Sequence, residues 1–376
     1  MTLDDPLRAC LADVLLPDSP KTPTRLIALP SASAMRAVLP VDDASAAARI
    51  VRRQFEGGSW KRRVQTTVLS ALVSTGIVWH LRHWRVNGFP IPRERSFRAW
   101  IAGELSQDHR VGLALIGPQR ANRKPVVLIT DVRGRLIAVA KLGYNEVTRP
   151  LVRHEASALV TVATALGSVA HVPELMASTD LHGTEALLMR ALPEIDVRAD
   201  VPRTTLITLV RAISSAGSSA RSELLDETTH PRMTPLVPVA TRLRSLDVPF
   251  GASHGDLHSG NLGVAIDGHP AIWDWERWSQ GVPLGFDLLH FDFQNWVTVG
   301  DEPKSAARRL IRTAEGILSP LGIPSELASD VARDYLIRLA ARYVRDAQDE
   351  AGSRLGAVEE WLFPAVLDGF DDKEER

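Results

Sequence analysis

The chain has 376 residues, 45% hydrophobic and 24% charged, with a formal net charge of -1. That length holds two or three domain-sized units with a real apolar core, and the near-zero charge removes any global field that would attract nucleic acid. The single cysteine, Cys10, excludes an internal disulfide and fits a reducing, cytoplasmic location. Residues 1–18 are acidic and interrupted, without the basic start of a secretory signal. Pro17, Pro20, Pro23, Pro30 and Pro40 then punctuate the chain into short strands and turns, with residues 26–29 as one strand. Residues 44–55 read as an Ala-rich helix.

Residues 64–81 are apolar, uncharged and flanked by Lys61, Arg62, Arg63 and Arg82, which is nearly a membrane-spanning length. Gln65, Thr66, Thr67, Ser70, Ser74 and Thr75 make them a poor transmembrane helix. The expectation is a buried helix with basic ends; the alternative is a helix lying on an anionic membrane surface. Residues 49–98 hold eleven Lys/Arg against two acids, so peripheral contact with an anionic membrane or polymer is the partner expected there.

Residues 111–116, 125–130 and 136–142 form an antiparallel meander with turn chemistry in both gaps. The third strand carries a lone lysine, Lys141, near its end, and the following helix, 151–166, carries Glu155. The turn at 117–124 has one glycine and three basic residues. Strands at 171–176 and 184–190 complete a five-stranded sheet that runs into 191–194. A helix over 203–227, Pro-rich material and a short helix near 239–245 follow.

The chemistry concentrates in His254-Gly255-Asp256-Leu257-His258-Ser259-Gly260-Asn261, followed by Asp274-Trp275-Glu276. Residues 262–266 and 271–273 read as two strands around the turn Asp267-Gly268. Such a hairpin brings Asn261 and Asp274 to one end. An amide oxygen and a carboxylate facing a common point suit Mg²⁺, which takes few protein oxygens and completes its octahedron with waters and phosphates. Helices at 303–318, 326–349 and 356–367 close the chain, with a frayed tail at 371–376.

The pattern His254-x-Asp256, Asn261, Asp274 resembles the catalytic core of the aminoglycoside phosphotransferase and choline kinase-like family, relatives of the protein kinases. The resemblance implies an α+β, bilobal protein kinase-like fold. Its parts would be an accessory region at 1–105, a small antiparallel-sheet lobe at 106–192 and a mainly helical lobe at 193–376. It also implies ATP, or another NTP, with Mg²⁺ as cofactors and the hydroxyl of a small molecule as acceptor. Asp256 would be the base, and Asn261 and Asp274 the metal ligands. Lys141 would contact the nucleotide phosphates, Glu155 would pair with it, and backbone near Met189 and Ala191 would read the adenine edge.

Gly255 in place of an arginine, and Asp274-Trp275-Glu276 in place of Asp-Phe-Gly, argue against a protein kinase. Asp287 is expected to cap the next helix or to brace the catalytic loop. A metallohydrolase built on His254, Asp256 and His258 is disfavoured by the two loop glycines and leaves Asn261 and Asp274 idle. A kinase-like binding module or pseudokinase is the non-enzyme alternative. Balanced charge in the C-terminal helices disfavours a polycationic acceptor. Trp273, Trp275, Trp278, Phe286, Phe291, Phe293 and Trp296 favour a sugar or glycoconjugate.

Overall fold

Strands buried on both faces organise the first half of the chain. The computed structural model describes residues 5–16, 25–55, 60–86, 96–106, 108–197 and 199–369. The expected turns at Pro17, Pro20 and Pro23 and the tail at 371–376 lie outside these residues. Seven strands form one antiparallel sheet: β1 (Leu26–Leu29), β2 (Ala37–Pro40), β3 (His109–Leu115), β4 (Val126–Asp131), β5 (Leu136–Gly143), β6 (Leu175–Leu181) and β7 (Thr184–Arg190). Their order is β1-β2-β3-β4-β5-β7-β6.

Ala28, Val38, Ala114, Val127, Ile129, Ala140 and Leu188 take one face of the sheet. They pack with Leu7 and Leu11 of α1 (Asp5–Leu15) and with Phe97 and Ile101 of α4 (Ser96–Glu104). Ile27, Leu39, Leu113 and Leu128 take the other face, with Val51 of α2 (Ala44–Phe55) and Val73 of α3 (Trp60–Ser74). Each such aliphatic side chain contributes about 1.5–3 kcal/mol on burial.

Two strands more than the expected five join this sheet, and the strand expected at 171–176 lies instead at 175–181, because His171 bridges to Ala271. β2 pairs with β3 through Ala37 opposite Leu115, and β1 pairs with β2. Both are covered on two faces, so their sequences are continuous apolar runs without alternation. The expected buried helix over 64–81 also differs. It is α3 followed by a 3-10 turn at Ile77–His80. Thr66, Val73 and Val78 are buried, but Val68 and Ile77 are 52% and 50% exposed. One face packs and the other meets solvent. Among the described residues no helix is long and apolar enough to cross a membrane.

The chain divides into two compact units. The first holds Met1–Pro118, Asn122–Arg153 and Glu174–Ala191, hence the sheet; the second holds Gln119–Ala121, His154–Pro173 and Leu192–Arg376. α5 (Thr148–Leu166) contributes to both. The second unit is mainly helical. Its short strands are β8 (Ile195–Asp196), β9 (Phe250–Ser253), β10 (Leu262–Ala265), β11 (Pro270–Ile272) and β12 (Ser279–Pro283). The helical segment expected over 203–227 is two helices, α6 (Arg203–Ser215) and α7 (Leu224–Glu227). Between them a Cβ at Gly217 would lie 2.8 Å from the Ala252 Cβ, a close approach only glycine allows.

After α8 (Val237–Arg242) and the strands, α9 (Phe286–Val299), α10 (Pro303–Leu318), α11 (Ser325–Arg345) and α12 (Val358–Leu367) pack on one another. α11 is the innermost, with Val331, Leu336, Ile337 and Ala340 fully buried. Its charged residues are paired rather than free: Arg338 donates to Asp334 at 2.7 Å, and Arg345 reaches Glu227 at 3.1 Å.

Candidate active site

β9 leads into the loop that carries Asp256. Gly255 has φ +79°, and a Cβ there would sit 2.1 Å from the Arg277 carbonyl oxygen. No side chain fits, which is the physical reason glycine precedes Asp256. The loop is fixed from below by Asp287 in the first turn of α9. Its carboxylate accepts from Ser253 Oγ at 2.8 Å, His254 N–H at 2.9 Å and Gly255 N–H at 3.1 Å. Asp287 therefore braces the loop; the N-cap of α9 is Gly285.

His254 ties the loop to the hairpin. Its Nδ1 accepts the Asp256 N–H at 3.2 Å, so Nε2 carries the proton and donates to the Trp273 carbonyl at 3.1 Å. Its ring lies 4.5 Å from that of Trp275. Burial lowers its pKa from 6.5, against the opposing charges of Asp287 and Asp256, and keeps it neutral as this bonding requires.

β10 and β11 form the expected hairpin, with Leu262 opposite Ile272. The Trp273 N–H donates to the Asn261 carbonyl at 3.2 Å, so Asn261 and Asp274 leave the hairpin at the same end. Asn261 Nδ2 donates to the Asp256 carbonyl at 2.9 Å and lies 3.4 Å from Asp256 Oδ2. That direction turns Nδ2, not the amide oxygen, toward Asp256. Asp274 is left-handed, φ 72° and ψ 55°, a strained conformation for a non-glycine residue that recurs at functional sites. The carboxylate oxygens of Asp274, Glu155 and Glu276 lie within 4.8 Å of one another. Glu155 is also fixed to this turn, accepting the Trp275 N–H at 3.1 Å. This hard-oxygen, anionic donor set fits a divalent cation of the Mg²⁺ type.

Asp256 is 28% exposed on its side chain. Its Oδ1 lies 3.2 Å from His290 Nε2 and 3.5 Å from Arg342 Nη2; its Oδ2 lies 3.8 Å from His258 Nε2. Burial alone would push this carboxyl up. The close approach of His290 Nε2, then Arg342 and the His258 ring, outweigh burial and hold it well below the usual carboxylate range. Burial lowers His290 itself, more than its bond to Asp256 raises it. That direction fits a neutral imidazole, with the Arg342 guanidinium 3.5 Å from the same Oδ1. Tyr335 OH, raised well above 10 by burial, keeps its proton and donates to His290 Nδ1 at 2.9 Å. The remaining imidazole proton then sits on Nε2, facing Asp256.

His290, Tyr335 and Arg342 were not among the sequence-derived site residues. A usable signal was present at His290. It is a polar residue inside the apolar run Leu288-Leu289-His290-Phe291, three positions after Asp287 and so on the same helical face. Tyr335 and Arg342 have no local signal of this kind.

Lys141, Met189 and Ala191 belong to the first unit, and Asp256, Asn261, Asp274 and Glu155 to the second. Lys141 is buried on β5 opposite Leu187. Met189 is buried on β7 opposite Val139. The Ala191 N–H donates to the Ile137 carbonyl at 3.0 Å, so an adenine edge read here requires a different N–H.

By its own element order the fold is α+β and protein kinase-like: a sheet-rich N-terminal unit followed by a mainly helical one. No protein-family model matches the chain. No curated protein matches it. Solved structures do. LicA in complex with AMP is 13% identical over 74% of this chain and 98% of that one, with a TM-score of 0.48. A putative fructosamine-3-kinase from Haemophilus somnus is 11% identical over 73% and 97%, with a TM-score of 0.46. A thermostable mutant of the aminoglycoside phosphotransferase APH(4)-Ia, in complex with ADP and hygromycin B, is 15% identical over 73% and 98%, with a TM-score of 0.46. At these identities the functional reading rests on the chain's own residues.

Proposed function

We propose that the chain is an ATP- and Mg²⁺-dependent phosphotransferase acting on a hydroxyl of a small molecule. One observation carries this reading. The amide of Asn261 is bonded to the Asp256 residue, and the hairpin that starts at Asn261 returns Asp274 to the same end, in a strained turn surrounded by carboxylates. Phosphoryl transfer needs alignment and charge neutralisation more than covalent help, and this arrangement supplies both.

In this reading Asn261 and Asp274 hold the metal, which neutralises the charge on the nucleotide phosphates. Asp256 orients the acceptor hydroxyl and takes its proton. Oδ1 faces His290 and Arg342, and Oδ2 faces His258 and the Asn261 amide; in this reading Oδ2, the oxygen beside the metal-binding amide, faces the acceptor. A carboxylate held this acidic is a weak base. It suits a reaction in which the proton leaves late, after the bond to the departing phosphate oxygen is largely broken. Lys141 contacts the phosphates, Glu155 fixes the turn that presents Asp274, and backbone beside Met189 and Ala191 reads the base.

A sugar or glycoconjugate acceptor is part of the proposal, on narrower support than the aromatic count gives. Trp275, Trp278, Phe286 and Phe293 are core residues. Trp273, Phe291 and Trp296 remain partly exposed, and Arg309 lies over the Trp296 ring at 4.1 Å. Location in the cytoplasm rests on cysteine usage. Peripheral contact with an anionic membrane or polymer rests on the charge imbalance of residues 49–98.

The test is a screen of acceptor alcohols for Mg·ATP consumption, with the product identified by a mass gain of one phosphoryl group. A phosphorylated alcohol supports the reading. Tight Mg·ATP binding without any product across the screen favours the non-enzymatic binding module instead.

A further inference from the structure

The far end of the same hairpin carries a second cluster, built from different chemistry. The β10–β11 turn is Asp267-Gly268-His269, closed by Gly268 N–H to the Ala265 carbonyl and Ala265 N–H to the His269 carbonyl, both at 2.8 Å. His171, from the segment after α5, is fixed alongside. Its N–H donates to the Pro270 carbonyl at 2.8 Å, and its carbonyl accepts the Ile272 N–H at 2.9 Å. Two imidazoles and one carboxylate are thus presented by backbone that is hydrogen-bonded together on both sides.

Their side chains converge. His171 Nε2 lies 2.8 Å from Asp267 Oδ2, and His269 Nδ1 lies 3.5 Å from Asp267 Oδ1. The two rings are 5.9 Å apart between centroids at 74° to one another, and one donor atom from each of the three residues falls within 4.8 Å of the others. Tetrahedral coordination at the usual zinc bond lengths places ligand atoms about 3.4 Å apart. Small side-chain rotations reach that geometry with the backbone unmoved.

The geometry points to a transition-metal site at His171, Asp267 and His269, of the two-histidine, one-carboxylate class that takes Zn²⁺. Two nitrogen donors select zinc and its neighbours over Mg²⁺, which demands oxygen. The three residues are half-exposed to exposed, which leaves coordination positions open to water. The site is separate from the Asn261–Asp274 end of the hairpin, across a four-residue strand of about 13 Å. A metal here would clamp the 171 segment to the turn of the hairpin that carries Asn261 and Asp274. The assignment does not depend on the phosphotransferase reading.

The test uses the full metal-free chain at neutral pH, titrated calorimetrically with Zn²⁺ and in parallel with Mg²⁺. The variants are His171→Ala, His269→Ala and Asp267→Asn, with circular dichroism to check that each keeps the fold. One Zn²⁺ site per chain is expected. Each histidine variant weakens it at least about ten-fold, the scale seen even for losing an outer-shell partner. Mg²⁺ neither fills the site nor competes for it. Co²⁺ in place of Zn²⁺ gives a visible absorption band that both histidine variants abolish. Zn²⁺ affinity equal in wild type and in both histidine variants, or no binding by wild type, overturns the assignment.

Discussion

Replacing His290 tests whether the buried Tyr335–His290–Asp256 chain acts as a unit. His290 Nε2 lies 3.2 Å from Asp256 Oδ1, yet that nitrogen makes no well-aligned hydrogen bond. A hydrogen bond to a charged group contributes about 1.5–3 kcal/mol, and the poor alignment places this one near the lower end. His290→Leu fills the space, removes the donor and leaves the Tyr335 hydroxyl without its partner at 2.9 Å, which adds about 1–3 kcal/mol. The Tyr335 cost is common to both arms of a double-mutant cycle with Asp256→Asn and cancels. The predicted coupling between positions 290 and 256 is about 1.5 kcal/mol. The assay is urea unfolding of the four proteins at pH 7. Because the chain has two compact units, the cycle is read on the transition that both single variants shift. A coupling below about 0.5 kcal/mol, the scale of independent sites, would refute the reasoning.

Two further outcomes follow from the same geometry. His254 and His290 have folded pKa values lowered from 6.5. The unfolded chain takes up those protons first, so stability is full above pH 6.5 and falls as pH drops below it, by up to about 1.4 kcal/mol per pH unit for each histidine. Asp256 adds its own loss only near and below pH 4, the ordinary carboxylate value. A denaturation series from pH 8 to 5 on wild type and His290→Gln checks this; an equal slope in both contradicts it. Gly255→Ala places a methyl against the Arg277 carbonyl at a left-handed φ, costing at least about 1–3 kcal/mol by thermal unfolding. A neutral result there would mean that the loop has another conformation.

Local sequence revealed what local chemistry determines. The Asp267-Gly268 turn between two apolar runs announced the β10–β11 hairpin, and the hairpin put Asn261 and Asp274 at one end. Apolar runs separated by turn residues announced β3, β4 and β5. β2 went unseen because Ala37-Val38-Leu39 is short, ends at Pro40 and is buried on both faces, so it shows no period of two. The environment of Asp256 was also hidden. His290 and Arg342 reach it from 34 and 86 residues away, and Arg342 sits among charged residues that look like surface. The arginines of α11 illustrate the limit. Read as a balanced acceptor surface, two of them are instead committed inside the fold: Arg338 to Asp334, and Arg342 to the Gly255 carbonyl and Asp256; Arg345 pairs with Glu227 at the surface.

The most direct test of the central claim is Asp256→Asn, compared with wild type for Mg·ATP binding and for phosphoryl transfer to the alcohol found in the acceptor screen. Asparagine keeps the shape and removes the base. The account predicts unchanged nucleotide affinity and a turnover lowered by about 10²–10⁴, the usual contribution of a positioned general base. Equal turnover in the two proteins, or a wild type that binds no Mg·ATP, would contradict it.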